Sequence, residues 1–149
     1  MPTHYSGTSA EMRTLNTFIK LTRCANSLFT RLTERNTLDD LTPSQFSVLE
    51  ALYHLGSMTQ GEVSTKVLKS GSNMTTVIDN LERDGLVKRE RDAKDRRVIH
   101  VHLTEAGTCK LEAVLPGHIA ALVDEFSVLS ASEQLTLSEL CKKLGKGKG

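Results

Sequence analysis

Residues 59–104, TQGEVSTKVLKSGSNMTTVIDNLERDGLVKRERDAKDRRVIHVHLT, hold the most informative pattern in the chain. A short helix with a capping box at its start is followed by a turn that contains Gly71. A second helix then runs to Gly85, a residue type that commonly ends helices. The helical period ends there, and residues 86–91 and 98–103 are predicted to be two strands, with Ile99, Val101 and Leu103 on one face of the second. Two helices, a turn and a hairpin in this order predict a winged helix-turn-helix.

The second helix, predicted over residues 72–84, has two different faces. Its apolar side chains recur at i, i+3, i+4 and i+7, namely Met74, Val77, Ile78 and Leu81. The opposite face carries Ser72, Asn73, Thr75, Thr76, Asp79, Asn80 and Arg83. Short hydroxyl and amide side chains suit a helix in the DNA major groove, because they reach base edges and phosphates. A helix that meets only solvent would have the same polar face, so this helix alone favours neither interpretation.

The charge of the hairpin favours DNA. Residues 83–97 contain seven Lys or Arg against four Asp or Glu, a net charge of +3 in a chain whose total is +1. An arginine at a hairpin tip fits a minor groove about 6 Å wide. Asp95 lies beside Arg96 and Arg97 and is predicted to fix the direction of a guanidinium. An ordinary charged turn is the alternative, and the polar-faced helix in the same module argues against it.

Residues 95–104, DRRVIHVHLT, match every fixed position of DxRxxxVxLT, the signature of the MarR family of bacterial transcriptional regulators. Residues 80–87, NLERDGLV, are similar to the end of that family's recognition helix. The chain resembles the family from about residue 15 to residue 144. This resemblance implies a homodimer whose first helix and last two helices intertwine.

The resemblance also implies roles in binding a double-stranded DNA operator. Residues 70–83 would enter the major groove, and Arg97 would reach the minor groove with Asp95 as its brace. Arg96 lies at the tip too, and the sequence leaves open which arginine goes deeper. Two-fold symmetry would place the half-sites of a pseudo-palindrome about 10–10.5 base pairs apart. The candidate DNA-binding residues are Ser70, Ser72, Asn73, Thr75, Thr76, Asn80, Arg83, Asp95, Arg96 and Arg97.

The expected fold class is mainly α with a small β-hairpin, a winged helix-turn-helix flanked by N- and C-terminal dimerisation helices. We expect one domain over residues 1–149, with the DNA-binding part at about 42–104 and the dimerisation helices at about 9–36 and 105–145. Apolar residues recur at three- and four-residue steps from about 11 to 35. A helix of that length is longer than a small domain needs, so it is predicted to pack against a second chain.

The resemblance further implies a repressor that releases DNA when a lipophilic or phenolic effector binds, or when a cysteine is oxidised. By geometry alone, Phe18, Leu21, Phe46 and Leu49 are candidates to line an effector pocket, and plain core packing is the alternative.

Cys24 is the candidate for a thiol switch, because a cationic neighbour such as Arg23 would lower its pKa. Its alternative role is that of a small buried apolar residue. In the peroxide-sensing branch of the family, the reactive cysteine falls where this chain has Phe18, which argues against peroxide sensing. A third hypothesis is a winged-helix module for protein contacts, and the excess of Lys and Arg in the hairpin argues against it.

Composition and motifs exclude several other classes. The 149 residues include three widely spaced cysteines without a CxxC, and they contain neither a long apolar run nor a secretory signal. We therefore expect a cytoplasmic protein without a membrane partner. His100 and His102 share a strand face, but two ligands are too few for a metal site. A phosphate-binding glycine loop, GxSxG and HExxH are all missing, so we expect neither an enzyme nor a cofactor.

Overall fold

The computed structural model describes residues 3–67 and 73–149 and divides into two compact units. Its helices are α1 (Ser9–Glu34), α2 (Pro43–Leu55), α3 (Gln60–Lys66), α4 (Met74–Arg83), α5 (Glu105–Phe126) and α6 (Ala131–Lys146). Its strands are β1 (Met58–Thr59), β2 (Val87–Arg91) and β3 (Ile99–Leu103). One unit, the winged unit, comprises Leu38–Ile119, and the other, the terminal unit, comprises the chain up to Thr37 and from Ala120 onward.

The winged unit contains a three-stranded antiparallel sheet in the order β1-β3-β2. The predicted hairpin is confirmed: Val87 pairs with Leu103 at one end, and Arg91 pairs with Ile99 at the other. The sequence analysis missed β1, in which Met58 pairs with Val101 of β3. A strand of two residues is too short to show the alternation by which strands are predicted.

The core of the winged unit joins its helices to the central strand. The side chains with the least exposure are Val48, Leu49, Val63, Ile78, Leu81, Val101 and Leu111. They come from α2, α3, α4, β3 and α5, so each of these elements is anchored by at least one buried side chain. The predicted apolar face of α4 is confirmed, because Ile78 and Leu81 are completely buried.

The end of α4 has the hydrogen bonds of a Schellman motif. Gly85 adopts a φ of 75°, in the left-handed region that favours glycine. The Leu86 N–H donates to the Leu81 carbonyl at 2.9 Å, and the Gly85 N–H donates to the Glu82 carbonyl at 3.0 Å. The predicted stop at Gly85 is therefore confirmed.

Thr104 attaches the start of α5 to this same turn. Its hydroxyl donates to the Gly85 carbonyl at 2.7 Å and accepts the Gly107 N–H at 3.0 Å. Its own N–H donates to the Leu86 carbonyl at 3.1 Å. Gly107 lies so close that a Cβ there would overlap the Leu86 carbonyl oxygen. The first turn of α5 is thus held directly against the end of α4.

In the terminal unit, capping boxes set the helix starts. Thr8 and Glu11 form one, so α1 begins at Ser9, where the first dimerisation helix was expected, although the apolar periodicity begins only near residue 11. Ser130 and Glu133 form the box of α6. Every residue of α1 and α6 is described, and neither helix contains a buried residue. Large apolar side chains are exposed there, among them Phe18, Phe29, Leu135, Leu140 and Leu144.

α5 is one continuous helix although Pro116 lies inside it, where the sequence indicates a kink or an interruption. Within the described ranges, no single helix is long and apolar enough to cross a membrane. α5 and α6 meet that test only when they are joined across the bend between them, and then by length and composition alone.

Candidate DNA-binding interface

The polar face of α4 is open to solvent. Thr75, Thr76 and Arg83 are exposed, and Asn80 is partly buried. The side chain of Arg83 is 71% exposed, and its Nε lies 3.4 Å from Asp84 Oδ1. Of the candidate DNA-binding residues, Ser70 and Ser72 lie outside the described residues. The remaining face presents hydroxyl, amide and guanidinium groups along one side of the helix.

Asn73 caps α4. The helix begins at Met74 and not near residue 72, because Asn73 has extended backbone angles and its side-chain oxygen accepts the Thr76 N–H at 3.4 Å. Asparagine is among the preferred residues at this position. The sequence analysis treated Asn73 only as a group for DNA and missed its local role in starting the helix.

Arg89 of β2, one of the seven Lys or Arg counted in residues 83–97, has partners on two helices that were not predicted from the sequence. Its Nε donates to Gln60 Oε1 at 3.0 Å, and one terminal nitrogen lies 2.5 Å from Asp79 Oδ1 and 3.3 Å from Glu82 Oε1. The other terminal nitrogen donates to the Thr75 carbonyl at 3.3 Å. Only 18% of the side chain is exposed. The charge of Arg89 is therefore directed at α4 and does not add to the free charge of the hairpin.

Strand alternation could have identified Arg89. Val87 is buried, and side chains two positions apart lie on the same face of a strand. Arg89 therefore shares the inward face with Val87, where an arginine needs partners. The acids that meet this need, Asp79 and Glu82, are three residues apart on α4 and lie on one side of that helix.

Asp92 organises the tip of the wing, defined here as β2, β3 and the turn between them. Its Oδ2 accepts the N–H groups of Lys94 at 3.0 Å and Asp95 at 2.9 Å, and its Oδ1 lies 3.0 Å from His100 Nε2. The hydrogen bond to His100, followed by those from the Asp95 and Lys94 N–H groups, lowers the pKa of the Asp92 carboxyl. Sequence reasoning counted Asp92 only as one of four acids.

Asp95 holds the guanidinium of Arg97. Arg97 Nε donates to Asp95 Oδ1 at 3.1 Å and a terminal nitrogen donates to Oδ2 at 3.2 Å, while the Arg97 N–H donates to Oδ1 at 3.0 Å. These bonds lower the pKa of the Asp95 carboxyl, with the guanidinium as the largest cause. The Arg97 side chain is nevertheless 91% exposed. Arg96 is also exposed, and its carbonyl accepts a bond from Arg91 at 2.7 Å.

His100 and His102 each have one acidic neighbour. His102 Nε2 lies 3.4 Å from Glu90 Oε2, and His100 lies beside Asp92. Both carboxylates come from the neighbouring strand β2 or from the turn that follows it, so spacing along one strand does not reveal them. Among the described residues, no group of three or more His, Cys, Asp or Glu side chains could hold a metal ion.

The residues considered for sensing occupy different surroundings. Phe46 and Leu49 are buried in the core of the winged unit, where the Phe46 ring lies 4.8 Å from that of His118, centroid to centroid. Phe18 and Leu21 are exposed on α1 of the terminal unit. Cys24 is exposed as well. In the single chain it is therefore not the small buried apolar residue of the alternative interpretation. The pocket and the thiol switch stay predictions.

Residues 41–99 match the model of the MarR family. The chain is 33% identical over 133 residues to the HTH-type transcriptional regulator MhqR of Bacillus subtilis (strain 168), covering 89% of this chain and 92% of MhqR.

Two solved structures are similar over most of both chains. A cysteine mutant of MarR from E. coli, complexed with operator DNA, superimposes with a TM-score of 0.73 at 25% identity, covering 87% of this chain and 96% of that one. Bordetella bronchiseptica BpsR, whose DNA binding is regulated by 6-hydroxynicotinic acid, has a TM-score of 0.73 at 25% identity, covering 85% and 98%.

Proposed function

Because this chain belongs to the MarR family of helix-turn-helix transcriptional regulators, we propose that it is a homodimeric repressor that releases a pseudo-palindromic operator when a small lipophilic or phenolic effector binds. The observation that carries the DNA-binding role is the exposed Arg97 guanidinium, which Asp95 holds at the tip of the wing. An extended hairpin with a braced arginine suits the narrow minor groove, where negative potential is concentrated.

In this proposal α4 enters the major groove. Its exposed face offers Thr75, Thr76 and Arg83 to base edges and phosphates. The apolar face of the same helix is buried in the core, so α4 has a fixed side to present. The undescribed Ser70 and Ser72 remain candidates for contacts before the first turn.

The homodimer is supported by the apolar side chains that the terminal unit leaves exposed. Phe29 is 59% exposed, and Leu140 and Leu144 are 58% and 65% exposed. Exposed apolar side chains in such number are typical of a surface that is buried in an assembly. A second copy of the chain is the occupant we propose, since a two-fold pair of winged units would match the two halves of a pseudo-palindrome.

The effector-responsive part of the proposal is supported by similarity to BpsR, whose DNA binding a small aromatic acid regulates. Phe18, Leu21, Phe46 and Leu49 stay candidates for effector contacts: the first two are exposed, and a ligand would have to displace core packing to reach the buried Phe46 and Leu49.

Fluorescence anisotropy with DNA from immediately upstream of the gene, or with DNA selected from a random pool, tests DNA binding. We expect tight binding that weakens as salt is raised, because phosphate contacts release counterions. Arg97→Ala should lower the affinity by about 1–3 kcal/mol at matched salt. Arg13→Ala, which removes an exposed arginine from α1, is the control. Absence of salt-dependent binding to any selected DNA would favour a winged-helix module for protein contacts.

The signal is tested on the preformed protein–DNA complex. Phenolic compounds should release DNA from the wild type and from Cys24→Ser alike. An oxidant that releases the wild type but not Cys24→Ser would support the alternative, a thiol-based switch. The thiol-based switch is supported by the exposure of Cys24, because an oxidant must be able to reach the thiol.

A further inference from the structure

Arg89 connects three elements of the winged unit through one guanidinium. It belongs to β2, a strand of the wing, and it contacts α3 through Gln60. On α4 it contacts the Thr75 carbonyl, Asp79 and Glu82. Arginine suits this task because its planar fork of donors can satisfy several acceptors in fixed directions.

The contacts on α4 are spread along the helix. Thr75 lies in the first turn, Asp79 in the second and Glu82 in the last, so the guanidinium touches the helix over nearly its whole length. Glu82 also accepts the backbone N–H of Arg89 at 2.9 Å. The side chain and the main chain of one wing residue are thereby both bound to α4.

The polar contacts of Arg89 fix the orientation of α4, which packing in the apolar core does not. Ile78 and Leu81 bury the apolar face of α4, and that burial would hold the helix in the fold without Arg89. Apolar packing has little directional preference, however, whereas hydrogen bonds fix both distance and angle. The contacts of Arg89 therefore define how α4 is turned and shifted relative to the wing.

The same contacts bear on the two acids of α4. Asp79 and Glu82 are exposed side chains on a helix that, in the proposed function, approaches phosphates. Two free carboxylates there would repel DNA. Paired with Arg89, they face a cation of their own chain.

We propose that Arg89 is a positioning residue that sets α4 against the wing for sequence-specific DNA binding, and that Asp79 acts through it. The inference rests on the proposed function, since it presupposes that α4 and the wing both contact DNA. It assigns Arg89 no direct contact with DNA, because four of the five N–H donors of its guanidinium are bonded within the protein.

The experiment compares two conservative variants on a selected operator and on a scrambled duplex of equal length. Arg89→Lys keeps the charge but loses the fork of donors. Asp79→Asn removes a negative charge from the helix. We expect each variant to lower the ratio of operator to scrambled affinity about tenfold, the cost of losing about one base contact. The slope of affinity against salt should stay unchanged in Arg89→Lys, because the total charge is the same.

Asp79→Asn distinguishes the two roles of Asp79 by the direction in which the operator affinity changes. If Asp79 were a free carboxylate near DNA, its removal would raise the operator affinity. We expect the operator affinity to fall instead, because the position of α4 is disturbed. Arg13→Lys makes the same chemical change as Arg89→Lys, but on α1 of the terminal unit, and should leave the ratio unchanged.

Thermal unfolding of each variant is followed by circular dichroism, so that binding is measured on folded protein. An unchanged ratio in both variants, with a wild type that prefers the operator, overturns the positioning role alone. Unfolding of both variants at the assay temperature also overturns it, since Arg89 would then serve stability. A wild type without sequence preference contradicts the proposed function and this inference with it.

Discussion

At the scale of single residues, Thr104 and Gly107 explain how the wing leads into α5. The Thr104 hydroxyl both donates to the Gly85 carbonyl and caps the first turn of α5 by accepting the Gly107 N–H. Gly107 then allows the Leu86 main chain to approach at a distance that any side chain would prevent. These two positions carry no charge and form no pocket, yet they determine where the second wing strand ends and α5 begins.

Gly107→Ala should destabilise the protein. Alanine is the better helix former, but its Cβ would overlap the Leu86 carbonyl oxygen, and overpacking of this kind costs about 1–3 kcal/mol. Gly117→Ala in the same helix is the matched control, because a Cβ at Gly117 meets nothing within 4 Å. The control should gain about 0.5–1 kcal/mol from helix propensity. Chemical denaturation measures both, and equal stability of the two variants would contradict the close approach.

The carboxyls of Asp92 and Asp95 should titrate below their ordinary pKa of 3.8. Bonds from His100 and from Arg97, respectively, stabilise the charged forms in the folded protein. A carboxyl with a lowered folded pKa contributes stability that is complete above the unfolded pKa and is lost as the pH falls through the folded pKa. The contribution of these two groups to stability should therefore be complete above about pH 5 and decrease below it. Carboxyl carbon chemical shifts recorded against pH measure both midpoints, and a midpoint at or above 3.8 would argue against these contacts.

Side-chain contacts between different helices and strands were the least predictable part of the site. The bond between Asp95 and Arg97 spans two residues and was predictable from their adjacency. The partners of Arg89 come from two helices, and no local spacing joins Gln60 to a strand residue 29 positions away. Such pairs depend on how the apolar core brings the elements together, which a local pattern does not encode.

At the scale of elements, α4 is short and depends on its ends. Ten residues are too few for a stable isolated helix, so its caps and its buried face hold it. Asn73 satisfies the Thr76 N–H at the start, and the Schellman motif with Gly85 closes the end. Both ends of α4, the helix proposed to read DNA, are thus determined by residue types that commonly begin or end helices, Asn73 and Gly85.

Asn73→Ser and Asn73→Ala separate capping from DNA reading. Serine caps helices about as well as asparagine, whereas alanine loses about 0.5–2 kcal/mol. If Asn73 only caps α4, Asn73→Ser should keep the stability and the sequence preference of the wild type, and Asn73→Ala should lose stability. If it also reads a base, as its place among the candidate DNA-binding residues predicts, Asn73→Ser should keep stability and change the preferred operator sequence. Selection from a random pool, together with thermal unfolding, distinguishes these outcomes.

Elements with local signals were the most predictable. Thr42 with Gln45 and Ser130 with Glu133 have the box spacing, and both boxes form. The box predicted at the start of α3 forms only in half, because Thr59 accepts the Glu62 N–H while the Glu62 carboxylate accepts from the Thr59 hydroxyl. The box at Thr8 has the same local pattern and was overlooked. β1 could not be predicted, because a pair of residues becomes a strand only when β3 lies beside it. The winged arrangement itself was predictable from the order of helices and alternating segments.

At the scale of the whole molecule, the two units differ in how they bury apolar side chains. The winged unit has a closed core that includes completely buried residues from five elements. The terminal unit, in contrast, exposes the apolar side chains of α1 and α6. Its ion pairs join Arg31 and Arg35 to Glu125, which lowers the pKa of the Glu125 carboxyl, with the bond from Arg31 as the largest cause. This unit is therefore the part of the molecule that we expect a second copy to complete.

Leu140→Glu should convert the proposed dimer into a monomer. Leu140 is 58% exposed in the single chain, so the substitution should change the stability of an isolated chain by no more than about 0.5 kcal/mol. In an assembly it would bury an unpaired charge. Lys142→Glu, two residues along and on a different face of α6, is the control and should leave the mass unchanged. Light scattering after size-exclusion chromatography measures the mass, and a dimer of Leu140→Glu would contradict this placement of the interface.

The bracing of Arg97 has a consequence for the entropy of binding. A free arginine side chain loses up to about 2 kcal/mol of rotational freedom when it is fixed in a groove. In this chain Asp95 already restrains the guanidinium while 91% of the side chain remains exposed. Much of that entropic cost is therefore incurred on folding, before any DNA is present. When the wing meets a groove, the direction of the Arg97 side chain is already fixed.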